Sequence, residues 1–362
     1  MIIFGSPSRY VQGAGALNQI GAELARLGGS VALLVDPVMN EKYGAGIRAA
    51  CESAGLTPQI LIFSGECTDP EISRLLAAVD GPNKPEIVAA IGGGKCIDAG
   101  KAMSHQLGAR VVTVPSIAST DAPTSHIYVV YDDDHRLVAV RKLARNPELV
   151  IVDTAVIVAA PRQLFLAGIG DAIGKIHEVT CCADAGGKNM FGGTSAWTAV
   201  ALAKSCHEIV LAHARDALAA LDRGEVTPAF ERMVEATVLM SGLAFESGGL
   251  SVAHSMTRGL SALVPWSHQM HGMQIAYANV VQMRLQGATE DAIDRFAGFC
   301  HDIGLPVTLA DLGDRAPTED EVTILADMTM TSPHIGHLPA PITSRDIAEA
   351  IDWVETRFKA AQ

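Results

Sequence analysis

Before residue 160, this 362-residue sequence alternates short apolar runs with segments of helical spacing. The apolar runs are residues 31–35, 59–63, 86–91, 111–114 and 149–152. Segments with helical spacing lie between them, at residues 16–28, 41–54, 70–79 and 95–107. Continuous apolar strands that alternate with helices predict a parallel sheet covered on both faces.

The pattern changes after about residue 160, where Ala, Leu, Met and Glu dominate with helical spacing. The predicted helices are residues 161–184, 194–220, 228–246, 249–263, 271–286, 289–303 and 344–360. We therefore expect two domains, an α/β domain over residues 1–160 and a helical domain over residues 161–362. A hairpin is predicted over residues 127–140, with a charged turn at Asp132-Asp133-Asp134.

Composition excludes several classes of function. The net charge of −13 argues against a nucleic-acid surface and against binding to an anionic membrane. No apolar run reaches the length of a spanning helix, and the first residues lack the blocks of a signal peptide. The seven cysteines form no CxxC pair, which is typical of reduced thiols. We therefore expect a cytoplasmic enzyme without nucleic-acid or membrane partners.

Asp171, His254 and His271 are the candidate metal ligands. One carboxylate and two imidazoles can hold a divalent metal and leave a position open for a substrate oxygen. The residue types alone are weak evidence, because the chain has 12 His and 40 acidic residues. Another candidate ligand is His268, three residues before His271. Lys175 reads as a solvated lysine, with binding of an acidic substrate as the alternative.

Residues Gly92-Gly93-Gly94-Lys95 follow a predicted strand and open a helix. Glycines allow close backbone approach, and a helix N-terminus attracts a pyrophosphate. The segment matches neither a Walker loop nor GxGxxG, so a simple structural turn is the alternative. Asp98, in the first helical turn, belongs to the candidate site or compensates the helix dipole.

Asp36 ends a predicted strand, where an acid can bind a ribose hydroxyl pair and disfavour a 2′-phosphate. It precedes the glycines instead of following them, so a variant nucleotide fold is predicted. Asp36 could equally end the strand in a turn before Pro37. The hydroxyl-rich loop at residues 115–125 either binds a ligand or is held by its own Ser/Thr turns.

Five motifs occur together in one order: Gly-Gly-Gly-Lys-x-x-Asp, Thr-Asp-Ala-Pro, Gly-Ile-Gly-Asp-Ala, Phe-Glu-Ser-Gly-Gly-Leu and His-Gly. Over residues 5–340 the sequence resembles the glycerol dehydrogenases of the iron-containing (group III) alcohol dehydrogenase superfamily. The resemblance implies a Rossmann-like, NAD-binding parallel-sheet domain followed by an all-α domain, the dehydroquinate synthase-like fold. It also implies an active site in the cleft between the domains. Zinc is the implied metal, with iron as the alternative, and the implied assembly is a homo-oligomer, commonly an octamer.

Matching motif by motif, the resemblance assigns a role to each candidate residue. The metal ligands would be Asp171, His254 and His271, and Asp121 would hold a substrate hydroxyl. NAD would contact Asp36, Gly94, Lys95, Ser116, Ser119, Ser125, Ile127 and Tyr131, in addition to the glycine-segment residues Gly92, Gly93 and Asp98. The expected reaction is NAD-linked oxidation of glycerol to dihydroxyacetone by hydride transfer from an alkoxide that the metal stabilises. Replacing Asp171 by Ala is expected to abolish metal binding and leave the fold intact.

Two departures from the resemblance leave the substrate open. Residues 173–177 stand where glycerol dehydrogenases tend to carry small and aromatic residues, and Met273 stands where these enzymes usually have Glu. The substrate could therefore be another polyol, an amino alcohol or a hydroxycarboxylate, although Asp121 would repel a carboxylate. A sensor that binds metal and NAD without turnover is the alternative from another functional class.

Overall fold

The structure, a computed structural model, describes residues 1–79, 81, 84–132 and 137–359. The strands are β1 (Tyr10–Gly13), β2 (Ser30–Val35), β3 (Thr57–Ile62), β4 (Ile87–Gly92), β5 (Arg110–Pro115), β6 (Ile127–Tyr131), β7 (Leu137–Lys142) and β8 (Leu149–Asp153). Within the described residues, six of these strands form one parallel sheet in the order β1-β8-β5-β4-β2-β3. The antiparallel pair β6–β7 confirms the predicted hairpin, but residues 133 and 134 of its predicted charged turn lie outside the described residues.

Each predicted helical segment contains an α-helix, but the helices at Val264–Ser267, Leu309–Gly313 and Glu319–Thr329 were not predicted. The α-helices before residue 160 are α1 (Ile20–Leu24), α2 (Pro37–Ser53), α3 (Asp69–Ala78), α4 (Gly94–Leu107) and α5 (Thr154–Ile157). Later come α6 (Arg162–Ile173), α7 (Lys175–Asp184), α8 (Trp197–Asp222), α9 (Pro228–Glu235), α10 (Ser241–Gly248), α11 (Val252–Ala262), α12 (Val264–Ser267), α13 (His271–Leu285), α14 (Glu290–Ile303), α15 (Leu309–Gly313), α16 (Glu319–Thr329) and α17 (Ser344–Arg357). The described part of the chain also contains two 3-10 turns (Ala16–Gln19, Ala122–Thr124) and one π-helical turn (Ala236–Met240). The predicted parallel-sheet region and helical C-terminal region are confirmed.

Side chains of the parallel strands alternate between two cores. In β2, Val31, Leu33 and Val35 pack with residues of α1 and α2 in one hydrophobic cluster. Ala32 and Leu34, on the opposite face, pack with residues of α3 and α4 in the other. The sheet is therefore covered on both faces, which explains why its strands read as continuous apolar runs.

The chain forms two compact units. One contains Ser6–Pro161 and Ala220–Val238; the other contains Met1–Gly5, Arg162–Ala219 and Leu239–Gln362. In the second unit, α13 packs against α6 and α11. Within the described residues, no single helix is both long and apolar enough to cross a membrane, although the bent pair Pro228–Gly248 and Val252–Ala262 passes that test together.

Candidate active site

The predicted metal ligands Asp171, His254 and His271 lie together in the second unit. One ligand atom from each lies within 4.8 Å of the other two. Asp171 Oδ1 is 3.8 Å from His254 Nε2 and 3.9 Å from His271 Nε2. One carboxylate oxygen and two imidazole nitrogens at these spacings are a donor set that fits a divalent cation such as zinc or iron.

Glycines beside two of these ligands let their helices approach each other. A Cβ atom on Gly170 of α6 would lie 2.4 Å from the carbonyl oxygen of Gly272 in α13. A Cβ atom on Gly272 would lie 1.7 Å from the carbonyl oxygen of Ala167. No other residue fits backbone contacts this close. The Gly-Asp and His-Gly dipeptides therefore bring the side chains of Asp171 and His271 to one place.

Asp171 is a buried carboxylate whose charge is compensated locally. Lys175 Nζ donates a hydrogen bond of 2.5 Å to Asp171 Oδ1, and the two side chains are 1% and 2% exposed. Burial would raise the pKa of Asp171, but the charges of Lys175, His271 and His254 lower it below the usual value. The prediction that Lys175 is solvated is wrong, because Asp171 and the ring of Phe245, 5.5 Å from Nζ, surround its ammonium.

His254 is oriented by Glu178, a fully buried residue of α7. Glu178 accepts hydrogen bonds from the backbone N–H groups of Ser251 (3.0 Å) and His254 (2.9 Å). Its other oxygen lies 2.5 Å from His254 Nδ1. Burial would raise the pKa of Glu178, but its contacts with His254 lower it to about 2. Because an ionised carboxylate can only accept, Nδ1 carries a proton, and in the neutral imidazole Nε2 is then the nitrogen that can bind a metal.

Solvent reaches the cluster on the side of His271. This residue begins α13, and its side chain is 42% exposed. The following residues turn inward, and Met273 is buried in the helix core. Of the three candidate ligands, His271 is therefore the most exposed, whereas the side chains of His254 and Asp171 are 12% and 2% exposed.

The other histidines that the sequence singled out have different surroundings. His268 is exposed and lies outside the cluster, because α13 begins only at His271. His177 packs edge-on against Phe296, and burial and the charge of His207 lower its pKa to about 4. His337 Nδ1 lies 2.7 Å from the carbonyl oxygen of Leu250, just before α11.

In the first unit, the glycine segment lies at the N-terminus of α4. Gly93 is the N-cap residue and makes no side-chain cap. A Cβ atom on Gly92 would lie 2.7 Å from Asp36 Oδ2, and one on Gly94 would lie 3.5 Å from Thr120 Oγ1. The glycines thus keep side chains away from free backbone N–H groups, which is the arrangement that binds pyrophosphate.

Asp36 lies beside these glycines because of the strand order. In the sheet, β3 lies on one side of β2 and β4 lies on the other side. The direction in which successive strands are added therefore reverses between β2 and β4. Asp36 Oδ1 accepts from the backbone N–H of Met39 and caps α2, whereas Oδ2 lies 3.4 Å from Ser116 Oγ. Three adjacent strands thus end at this place: Asp36 follows β2, Gly92 is the last residue of β4, and Ser116 follows β5. Open α/β sheets bind their ligands at such strand ends.

Most of the remaining candidate NAD residues have partners in the first unit. Lys95 pairs with Glu66 at 2.5 Å, and its ammonium lies 5.6 Å from the ring centroid of Tyr131. Lys101 Nζ donates to Ser125 Oγ and to the carbonyl oxygen of Ile127. Ser119 is half-buried in the loop after β5.

Two carboxylates of the same unit are buried. Asp98 Oδ2 accepts from the backbone N–H of Val129 at 3.1 Å, and burial raises the pKa of Asp98 to about 6. This contact ties α4 to the hairpin. Asp121 precedes the 3-10 turn Ala122–Thr124, and the residue is 8% exposed.

Sequence reasoning missed Glu178 and misplaced Lys175. Both lie on the helix that follows Gly-Ile-Gly-Asp, at spacings of seven and four residues from Asp171. On the single helix that the sequence predicts over residues 161–184, these spacings would place both residues on the face of Asp171, which is the one signal available. The partner of Glu178, His254, is 76 residues away, and no local pattern links them.

Comparisons with known proteins agree on one family. Residues 7–154 match the family described as iron-containing alcohol dehydrogenase. A glycerol dehydrogenase of Thermotoga maritima is 37% identical over 95% of this chain and 94% of its own. A glycolaldehyde reductase of Halobacterium salinarum is 35% identical over 90% of this chain and 89% of its own. The crystal structure of a probable glycerol dehydrogenase from Sinorhizobium meliloti superposes with a TM-score of 0.92 at 32% identity, covering 99% of this chain and all of the other.

Proposed function

The chain belongs to the iron-containing alcohol dehydrogenases as an NAD-dependent, glycerol dehydrogenase-like enzyme, and we propose that it oxidises glycerol or a related small vicinal diol to the hydroxyketone. For glycerol the product would be dihydroxyacetone, with NAD as the hydride acceptor. The observation that carries this proposal is the open cluster of Asp171, His254 and His271.

We assign the divalent metal to these three residues. Bound there, it would supply Lewis-acid chemistry, lowering the pKa of a substrate hydroxyl or polarising a carbonyl in the reverse reaction. Asp171 brings the negative charge, and Glu178 fixes the His254 tautomer that leaves Nε2 free to bind. Zinc is the proposed metal and iron the alternative, since the donor set suits both.

We assign NAD to the first unit. The bare N-terminus of α4 at Gly93 and Gly94 would bind the pyrophosphate, and Asp36 would accept from the ribose hydroxyls. Asp121 would accept a hydrogen bond from a substrate hydroxyl that does not react. A buried carboxylate in this role favours uncharged polyols over hydroxy acids.

A hydroxycarboxylate substrate would need a cation to pair with its carboxylate. Lys175 is the lysine nearest to the metal ligands in sequence, but its ammonium is buried against Asp171. This pairing argues for a neutral polyol.

A substrate panel tests the proposal. Protein reconstituted with zinc or iron would be assayed for NADH formation with glycerol, propane-1,2-diol, aminopropanol and hydroxy acids. We expect the vicinal diols to give the highest kcat/KM and the chelator-treated protein to be inactive. A preference for hydroxy acids, or full activity after the metal is removed, would contradict it. We also propose a homo-oligomer, of which an octamer is the expected form, to be measured by light scattering.

A further inference from the structure

The ammonium of Lys175 occupies an unusual position for a lysine. Its side chain is 1% exposed, and Nζ lies 2.5 Å from Asp171 Oδ1. Gly174 separates α6 from α7, and Lys175 is the first residue of α7. The ring of Phe245 lies 5.5 Å from Nζ, and an aromatic face stabilises a cation. The ammonium is thus held in place on two sides.

The same carboxylate oxygen serves the metal cluster. Asp171 Oδ1 is the atom that lies 3.8 Å from His254 Nε2 and 3.9 Å from His271 Nε2. A cation bound to this oxygen at about 2.1 Å would therefore lie within about 5 Å of Lys175 Nζ. The metal and the Lys175 ammonium would then both be bound by the carboxylate of Asp171.

Two electrostatic consequences follow from this arrangement. Without a metal, Lys175 compensates the buried charge of Asp171, which would otherwise destabilise the fold. With a metal, Lys175 repels it, and the repulsion is strong because solvent is excluded from this side of the cluster.

We propose that Lys175 is an internal counter-ion that replaces the charge of the metal in the metal-free site and weakens metal binding. The proposal rests on the ligand set assigned above, and it describes a positioning residue without contact to the substrate. The protein would therefore keep its fold and its cluster without metal, and its metal would exchange readily with solution.

The test compares Lys175→Met with the wild-type protein. Met keeps most of the length of the side chain and removes its charge. Zinc affinity is measured by competition with a chromogenic chelator, and thermal unfolding is followed with and without zinc. Lys204→Met removes the same charge from an exposed position of α8 and serves as the control.

We expect Lys175→Met to bind zinc at least about tenfold more tightly than the wild type, with a lower Tm when metal-free and a larger rise in Tm on adding zinc. Lys204→Met should match the wild type in all three measurements. If metal-free Lys175→Met does not fold, the rate at which chelator removes zinc from the loaded protein replaces the affinity, and we expect it to be slower than for the wild type.

Equal zinc affinity and equal removal rates in the wild type and Lys175→Met would overturn the proposal and leave the ligand assignment standing. Zinc binding by neither protein would overturn the ligand assignment and this proposal with it. The two failures are therefore distinguishable.

Discussion

Glu178 and His254 are joined by a short contact of 2.5 Å between the carboxylate and Nδ1. The same carboxylate also accepts from the backbone N–H of His254 at 2.9 Å. The side chain and backbone of one metal ligand are thus held by a single buried acid. Such partners set the tautomer and direction of a ligating imidazole.

Removing this acid should weaken metal binding although no ligand is changed. We expect Glu178→Ala to lower zinc affinity by about 10- to 100-fold, and Glu178→Gln by less, because an amide oxygen can still accept from Nδ1. Chelator competition measures both. Glu208→Ala, an exposed acid on α8, is the control. Unchanged affinity in Glu178→Ala would show that α11 alone orients His254.

The layout of the fold could be predicted because its signals are local. Five of the six sheet strands are apolar runs, and the order of strands and helices follows from their alternation. β1 was missed because Tyr10–Gly13 is short and only partly buried, so it lacks an apolar run. The sequence also gives no sign that Ala220–Val238 belongs to the first unit, because the composition of this segment is similar to that of the helices around it.

The sequence motifs predict the candidate metal ligands but not the contacts around them. Asp171, His254 and His271 stand in distinctive glycine-containing segments, and the structure brings them together. The ion pair of Lys175 depends on the burial of both partners and on the ring of Phe245, which no spacing reveals.

Helix contact at Gly272 gives a steric prediction. Gly272→Ala would place a Cβ atom 1.7 Å from the carbonyl oxygen of Ala167, so α6 and α13 must separate. We expect a loss of more than about 3 kcal/mol in the free energy of unfolding, together with weaker zinc binding. Urea denaturation measures the first effect. Gly298→Ala in α14 has no atom within 4 Å of its Cβ and should stabilise by about 0.5–1 kcal/mol.

Buried His177 gives a prediction for pH. Its pKa in the folded protein is about 4, against 6.5 in the unfolded chain, because burial and the charge of His207 disfavour protonation. The unfolded state thus binds the proton first, and stability present above pH 6.5 is lost as the pH falls toward 4, by up to roughly 3 kcal/mol.

Substituting His177 by Phe should remove this loss and keep the aromatic contact with Phe296. Denaturant unfolding at a series of pH values should show that the free energy of unfolding of the variant, relative to the wild type, increases as the pH falls below 6.5. His268→Phe, at an exposed position, is the control for the added aromatic ring. Parallel stability curves for the wild type and His177→Phe would refute the prediction.

Asp36 should determine the choice between NAD and NADP. Its Oδ2 carboxylate oxygen lies beside Gly92 and would repel a 2′-phosphate. Asp36→Ser keeps a side chain that can cap α2 and removes the charge. We expect the ratio of kcat/KM for NADP to that for NAD to rise by about tenfold or more. Glu41→Gln, an exposed acid on α2, should leave the ratio unchanged.

Replacing Asp171 separates metal binding from fold stability. The motif alone predicts that Asp171→Ala loses the metal and keeps the fold, but the structure shows that this change leaves the Lys175 ammonium buried without its carboxylate. Breaking one side of a buried ion pair costs about 3–5 kcal/mol, so we expect metal-free Asp171→Ala to be destabilised by that amount. The double variant Asp171→Ala/Lys175→Met should recover most of this stability without regaining zinc binding, as measured by urea unfolding and chelator competition. Wild-type stability in the single variant would contradict this prediction.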